Sequence, residues 1–326
     1  MESILVAGGA GYVGSHACKA LAQAGYRPVT LDNLATGHAD AVRWGPLIQA
    51  DIGDIQAVTA ALDQYGVAAA MHFAASSLVA ESVAKPEVYY ANNVVSTLGL
   101  IEALTSRAVK HIVFSSSAAV YGAAGSGLIG EETPLAPTNP YGETKRVIES
   151  ALRWIGAAKG FTWAALRYFN AAGADPEGEI GERHDPETHL IPNVVRATLG
   201  TGPALKIFGS DYPTPDGSAV RDYVHVSDLA DAHVAALAWL KAGGAGRAFN
   251  LGTGAGLSNL QVVAAAEQAL GRRTPFVMAD RRAGDPPSLV ADPSAAKAAF
   301  GWVPARSDPV TMIRDVATFE RTLRPG

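Results

Sequence analysis

The sequence predicts an α/β fold in which a doubly wound parallel sheet is followed by a smaller C-terminal α/β lobe. Three observations carry that reading. Short apolar runs alternate with longer amphipathic stretches through Asn170, a glycine-rich turn joins the first run to the first stretch, and the rhythm changes after Asn170. Ile4-Leu5-Val6-Ala7 is an apolar run that reads as a buried parallel strand. From Gly11 to Ala24, residues Val13, Ala17, Ala20, Leu21 and Ala24 share one helical face, and Gly25 ends the stretch as a glycine just past a helix should. Pro28 to Leu31 is the second strand. Leu47-Ile48, Ala68 to Phe73, His111 to Phe114 and Thr162 to Leu166 are further apolar runs, with helical segments at Ile55 to Tyr65, Val88 to Ala108 and Pro140 to Ala158. Strand and helix in strict alternation imply parallel strands joined by crossovers.

Residues 173–188 are dense in Gly, Pro and charge and predict a long loop. Beyond them come a run at Leu205 to Phe208, helices at Ser227 to Leu240 and Leu260 to Leu270, and a helix near the end. We therefore expect a nucleotide-binding domain over 1–170, to which later segments are free to return, and a substrate lobe over 171–326.

The 326 residues are 48% hydrophobic and 17% charged, with a net charge of −5. No excess of Lys and Arg advertises a nucleic-acid partner. The single cysteine, Cys18, excludes an intrachain disulfide, and its place on the apolar face of the first helix makes it a core residue; this fits a cytoplasmic protein. The N-terminus lacks a basic n-region and an apolar h-region. No uninterrupted run of about 18 apolar residues predicts a membrane span.

Gly8-Gly9-Ala10-Gly11-Tyr12-Val13-Gly14 joins the first strand to the first helix. Such a turn needs backbone angles that glycine tolerates, lets a pyrophosphate approach the N–H groups at a positive helix end, and brings helix and strand close. Asp32 ends the second strand 18 residues past Gly14 (32 − 14), where a carboxylate accepts hydrogen bonds from an adenosine ribose and repels a 2′-phosphate. The combination reads as a Rossmann-type site for NAD rather than NADP. Asp51-Ile52 follows the third run; Asp51 suits either an adenine amino group or a helix N-cap. The small residues in Phe73-Ala74-Ala75 leave room for a cofactor or merely pack closely.

Ser115-Ser116-Ser117 follows the strand at His111, and Tyr141 and Lys145 stand four apart in the helix opened by Pro140, on one face. A lysine ammonium beside a phenol favours phenolate, which makes Tyr141 a candidate base, with a serine hydroxyl to hold the same substrate oxygen. A YxxxK pair alone would read as a solvated helix face; the glycine loop and the serine-rich strand end set it apart.

With these residues the chain resembles the extended short-chain dehydrogenases/reductases, Ser117, Tyr141 and Lys145 forming the catalytic signature. It is most similar to the UDP-glucose 4-epimerase family, end to end. The shared blocks include Leu31-Asp32-Asn33-Leu34, Tyr89-Tyr90-Ala91-Asn92-Asn93-Val94, Asn139-Pro140-Tyr141-Gly142, Leu166-Arg167-Tyr168-Phe169-Asn170, Val220-Arg221-Asp222-Tyr223-Val224-His225 and Arg281-Arg282-Ala283-Gly284-Asp285. The resemblance implies NAD contacts at Gly8, Gly11, Tyr12, Val13, Gly14, Asp32, Asn33, Asp51, Ile52, Phe73, Ala74, Ala75, Asn92, Tyr141, Lys145 and Tyr168. It implies UDP-sugar contacts at Ser117, Asn170, Leu190, Phe208, Arg221, Arg282 and Asp285, and a specificity position at Leu289. Guanidinium forks at Arg221 and Arg282 suit phosphate oxygens. Two departures stand out: Ala7 precedes the first glycine where threonine is frequent, and Ser77 replaces a lysine that some members carry near the cofactor phosphates.

The implied activity is interconversion of UDP-glucose and UDP-galactose, a step of galactose metabolism, through a transient 4-keto sugar. Another UDP-sugar (UDP-N-acetylglucosamine, UDP-xylose or UDP-arabinose) and a non-catalytic NAD-binding regulator are the alternatives. A 4,6-dehydratase would need an Asp-Glu pair beside the catalytic hydroxyl, and here Ser117 is followed by Ala118-Ala119. The family pairs as homodimers through a four-helix bundle, which implies a face built from Val94, Val95, Leu98 and Ile101 with Val147, Ile148 and Leu152. Glu182 to His189 carries ligand types for a metal, but its spacing matches no motif, so a solvated or substrate-capping loop and no metal are expected.

Overall fold

The apolar runs are buried on both faces and assemble into one seven-stranded parallel sheet. In spatial order its strands are Arg247–Leu251, Thr162–Tyr168, His111–Ser117, Val67–His72, Ser3–Ala7, Arg27–Asp32 and Leu47–Gln49. The computed structural model describes residues 1–323 except 126 and 283, so Ala283 of the Arg281–Asp285 block lies outside the described residues. Sequence order reverses at Ser3–Ala7, which pairs with Arg27–Asp32 on one side and Val67–His72 on the other. That reversal opens the crevice in which α/β proteins bind ligands, and the glycine loop leaves the sheet there.

Helices cover both faces. Ile55–Tyr65, Ser96–Ser106 and Pro140–Lys159 bury Leu62, Leu100, Leu104, Ile148 and Leu152 against one face. Tyr12–Gln23 and Val226–Lys241 bury Leu21, Leu229, Leu237 and Leu240 against the other. Cys18 lies in this second layer, 2% exposed, and burial pushes its thiol up to about 12, so it is an inert core residue. Asp54, not Asp51, caps the helix Ile55–Tyr65 by accepting from Ala57 N, which frees Asp51 for another role.

The strand Arg247–Leu251 was not among the sequence-predicted strands, yet it joins the sheet edge by pairing with Thr162–Tyr168. Its register sets Asn250 opposite Arg167. The expected helix Val88 to Ala108 is broken: Pro86–Tyr89 passes into a π-helical turn, Tyr90–Val95, before Ser96–Ser106 resumes as α-helix. Such turns gather at functional sites. This one holds Asn93, which accepts from Ser76 N and donates to Ser76 O and Thr144 Oγ1, tying the turn to the helix that carries Tyr141.

The second lobe packs helices Leu190–Leu199, Asn259–Leu270 and Pro309–Leu323 around Val194, Val195, Val262, Ile313 and Val316. Short strands flank it, Val220–Arg221 pairing with both Leu257–Ser258 and Ser288–Ala291. Residues 173–188 contain no helix or strand, as expected. Among the described residues no helix is long and apolar enough to cross a membrane.

Candidate functional site

The nucleotide crevice is built from backbone. Gly8 has φ +80°, and a Cβ there would lie 2.5 Å from Ala74 N, so the loop and the small Phe73-Ala74-Ala75 segment touch directly. A Cβ on Gly14 would lie 2.1 Å from Gly8 O, which makes its glycine a packing requirement. Gly11 differs: only Gly8 O, at 3.4 Å, is near, so a side chain there would project into open space above the helix end. Gly11 is also the N-cap of Tyr12–Gln23, with no side chain capping it. An uncapped N-terminus facing open space fits a pyrophosphate.

Asp32 is 8% exposed and accepts from Ala10 N at 2.9 Å and Leu34 N at 2.8 Å, which fixes its carboxylate beside the glycine loop. Asn33 donates to Asp51 Oδ2 at 2.8 Å, and Asp51 Oδ1 accepts from Gly53 N. Asn33 and Asp51 thus form one polar edge next to Asp32. Ile52, also predicted as a contact, is 4% exposed and packed in the core behind that edge. Ser77 is exposed, and Asn92 donates to Ser76 Oγ.

Tyr141 and Lys145 lie near the start of the helix Pro140–Lys159, which Asn139 caps by accepting from Gly142 N at 2.9 Å. Ser117 ends the adjacent strand, with its hydroxyl near enough to the Tyr141 phenol to act on it. Burial holds the Tyr141 phenol above its ordinary pKa, with the Ser117 hydroxyl pulling it down. The Lys145 ammonium sits 5.8 Å from the Tyr141 ring centre and donates to Ser115 O at 2.7 Å. Burial lowers Lys145 to about 7, opposed by the Glu149 carboxylate. The lysine-lowered phenol expected from the spacing is therefore absent: Lys145 serves the Ser115 carbonyl, and desolvation dominates at Tyr141. Tyr168 completes the cluster through a hydrogen bond between its hydroxyl and that of Ser115.

Behind these residues runs a buried chain that sequence reasoning missed. Glu149 Oε1 accepts from Ser116 Oγ at 2.6 Å and Arg167 Nε at 2.9 Å, and Glu149 Oε2 accepts from Arg167 Nη2 at 2.5 Å. Arg167 also donates to Tyr121 Oη, which donates to Asn250 Oδ1. Glu149 stands four residues after Lys145, the same helical spacing that singled out Tyr141, so the signal was present. Asp222, fully buried, accepts from Thr253 N, Thr253 Oγ1, Gly254 N and Ala291 N and so ties the turn after Arg247–Leu251 to the strand Ser288–Ala291.

Asn170, Leu190, Phe208, Arg221, Arg282 and Asp285 all line one cavity of about 590 Å³, whose walls come from Asn170 and the C-terminal part of the chain. Arg282 stacks over the Phe208 ring at 4.1 Å, and Arg221 pairs with Asp285. Two guanidinium groups and an aromatic face in one cleft suit a nucleoside diphosphate. Leu289 lies away from this cavity lining; it pairs in register with Arg221 and packs against the cluster holding Ala118, the residue after Ser117. It therefore stands between the arginine end and the catalytic end. In the expected helix-pairing face, Val95 and Leu98 are exposed, as is Trp154 outside the expected set, and Val94 and Val147 are half-buried, but Ile101, Ile148 and Leu152 are at most 1% exposed and face the chain's own sheet. Those three are corrected to core residues: the helices present one side to the sheet, and that side carries them. Glu182, His184, Glu187 and His189 are drawn into one cluster, in which one ligand atom from each lies within 4.8 Å of the others.

A glycine loop at the sheet's switch point, an acidic ribose position and a serine–tyrosine–lysine cluster facing it define a dinucleotide-dependent enzyme of the short-chain dehydrogenase/reductase type. Residues 4–252 match the NAD dependent epimerase/dehydratase family, and the chain belongs to that family, with NAD as its cofactor. It is 47% identical over 307 residues to a UDP-glucose 4-epimerase of Lacticaseibacillus casei, covering 94% of this chain and 93% of that protein. The solved UDP-glucose 4-epimerase of Brucella ovis in complex with NAD superposes with a TM-score of 0.95 at 48% identity, covering 97% and 98% of the two chains. That of Stenotrophomonas maltophila, with bound NAD and formylated UDP-arabinopyranose, gives 0.97 at 38% identity over 100% and 99%.

Proposed function

We propose that this protein is a UDP-glucose 4-epimerase that interconverts UDP-glucose and UDP-galactose. The observation that carries the reading is the link from the arginines to the catalytic residues: Arg221 and Arg282 line one cavity, Leu289 pairs in register with Arg221, and Leu289 packs against the cluster of Ala118, the neighbour of Ser117. A nucleotide diphosphate held at one end leaves its sugar at the other, within reach of a phenol and a serine hydroxyl.

NAD, when bound, would supply the acceptor and donor of the C4 hydride, and its positive charge while oxidised would favour the phenolate of Tyr141. Tyr141 Oη removes the proton from the C4 hydroxyl and gives it back after inversion. Ser117 holds the same oxygen and the phenol at once. Lys145 anchors the catalytic helix to the Ser115 carbonyl and would hold the nicotinamide ribose. Arg221 and Arg282 hold the diphosphate while the sugar turns, so no contact at the sugar end needs to outlast one half-reaction. Gly8, Gly11 and Gly14 seat the cofactor's pyrophosphate, with Asp32 on its ribose and Asn33 with Asp51 at its adenine.

The chain acts in the cytoplasm, in galactose metabolism, as a homodimer. Support for the dimer is the exposed apolar set Val95, Leu98 and Trp154 on the two long helical segments, 65%, 39% and 67% exposed. Sedimentation should find a dimer that Trp154→Glu weakens; a wild-type monomer would remove it. The activity is tested by incubating the protein with UDP-glucose, UDP-galactose, UDP-N-acetylglucosamine and UDP-xylose and separating the products. Turnover confined to another of these pairs, or none with NAD bound, would reject the reading.

A further inference from the structure

The segment Glu182–His189 connects the nucleotide crevice to the sugar cavity. His38 contacts Arg183 O at 3.1 Å from the crevice side, while Glu187 and His189 line the cavity just before Leu190. Between these ends its side chains turn inward on each other. His184 Nδ1 and His189 Nδ1 lie 2.9 and 2.8 Å from the same atom, Glu182 Oε1. His189 Nδ1 is also 2.9 Å from Glu187 Oε1. The two imidazoles sit with ring centres 5.1 Å apart.

Hydrogen bonds alone satisfy this arrangement poorly. One imidazole nitrogen carries one proton, yet His189 Nδ1 faces two carboxylate oxygens. Glu187 Oε2 has no partner although its side chain is only 3% exposed, and the Glu182 side chain is 4% exposed. Two carboxylates beside two imidazoles leave negative charge in excess, −2 with both rings neutral and −1 with His189 protonated. The cation of the segment itself, Arg183, is turned away to Asp40 at 2.6 and 3.0 Å. Buried charge of one sign without a counter-charge is expensive. The neighbouring acidic cluster differs, because Lys19 already binds Asp175, Glu177 and Glu179.

We propose that Glu182, His184, Glu187 and His189 bind a divalent transition metal, zinc first, as a structural clamp on the wall of the sugar cavity. Two imidazole nitrogens and two carboxylate oxygens make a four-ligand N2O2 set of borderline softness, which suits zinc rather than calcium or magnesium. The metal supplies the missing positive charge and gives the second Glu187 oxygen a partner. It also fixes the main chain that enters Leu190 and the helix Leu190–Leu199, and so acts on substrate affinity rather than on proton transfer. In its absence a proton held on His189 is the rival occupant: burial lowers that group's pKa, but the Glu182 and Glu187 carboxylates outweigh it and raise it to about 10.

The test uses the full-length protein with its NAD. After dialysis against a chelator and then against zinc sulfate, elemental analysis should find about one zinc per chain, and the melting temperature should rise by several degrees over the chelated protein. Cobalt(II) in its place should give the intense visible absorption of a four-coordinate site. The His184→Ala variant, altered outside the sugar cavity lining, should lose the stoichiometric zinc and the cobalt band. In the wild type, chelation should raise KM for UDP-glucose several-fold with kcat little changed. Failure of the chelated wild type to retain zinc at stoichiometry, or an unchanged cobalt spectrum in His184→Ala, would overturn the proposal in favour of the protonated cluster. Preferential retention of calcium would overturn the assigned ligand chemistry.

Discussion

Glu149→Gln probes the buried chain behind the catalytic cluster. The substitution keeps the shape of the side chain and removes its charge. Glu149 and Arg167 are both 6% exposed at their side chains, and they meet through two hydrogen bonds of 2.9 and 2.5 Å. Leaving one member of such a pair charged and unmatched costs about 3–5 kcal/mol. At about 1.5 °C per kcal/mol for a chain of this size, the melting temperature should fall by about 4–8 °C. Glu143→Gln is the control: its partner Arg146 is 42% exposed at its side chain, and surface pairs are worth about 0–1 kcal/mol. A second readout follows from Lys145. Glu149 is the group that holds the lysine's pKa up, against burial that lowers it to about 7. Without that carboxylate the ammonium is lost at lower pH, so the descending limb of the pH–rate profile should move to the acid side. Glu149 acts here as a positioning residue, through Lys145 and Ser116. If Glu149→Gln melts within about a degree of Glu143→Gln with an unshifted pH profile, the buried chain does not support the site.

Tyr141→Phe should lower kcat by about 10²–10⁴-fold while NAD stays bound, read by turnover and by cofactor content after gel filtration; more than a tenth of normal activity would remove Tyr141 as the base. Protein stripped of cofactor should regain activity with NAD and at least tenfold less with NADP, because the fixed Asp32 carboxylate faces the ribose position and like charges held together cost several kcal/mol; equal activity with the two would contradict that role. Leu289, packed between the arginine end and Ala118, should make UDP-N-acetylglucosamine a poor substrate, since overpacking costs about 1–3 kcal/mol, roughly 5- to 150-fold in kcat/KM. Leu289→Ser should raise that side activity and Leu289→Tyr suppress it; equal wild-type kcat/KM for the N-acetylated sugar and UDP-glucose would end the gate.

Much of this architecture was legible because its determinants are local. A buried parallel strand is an apolar run, and the glycine loop is a backbone requirement written in residue type. Gly8 and Gly14 meet neighbours that leave no room for a Cβ, so their spacing carried the nucleotide crevice directly. Asp51 illustrates the limit: cap and ligand roles read alike until Asp54 is seen capping the helix. Non-local features were hidden. Arg247–Leu251 is short and joins the sheet only through a register with residues more than eighty positions earlier. Ile101, Ile148 and Leu152 read as an outer face because apolar periodicity gives a helix's buried side without saying what buries it. Electrostatics misled at Tyr141, where the i, i+4 spacing predicted a lowered phenol and burial outweighed it. The Glu182–His189 segment showed metal-ligand residue types, but their convergence comes from the path of a loop, which no spacing rule describes.

The central claim is that C4 is inverted by hydride removed and returned within one active site. It is tested most directly with UDP-glucose carrying deuterium at C4, incubated with the NAD-loaded protein in ordinary water and without added cofactor. The account predicts UDP-galactose that retains the deuterium at C4, with the same equilibrium mixture reached from either sugar. Deuterium lost to solvent, or no UDP-galactose formed, would contradict it.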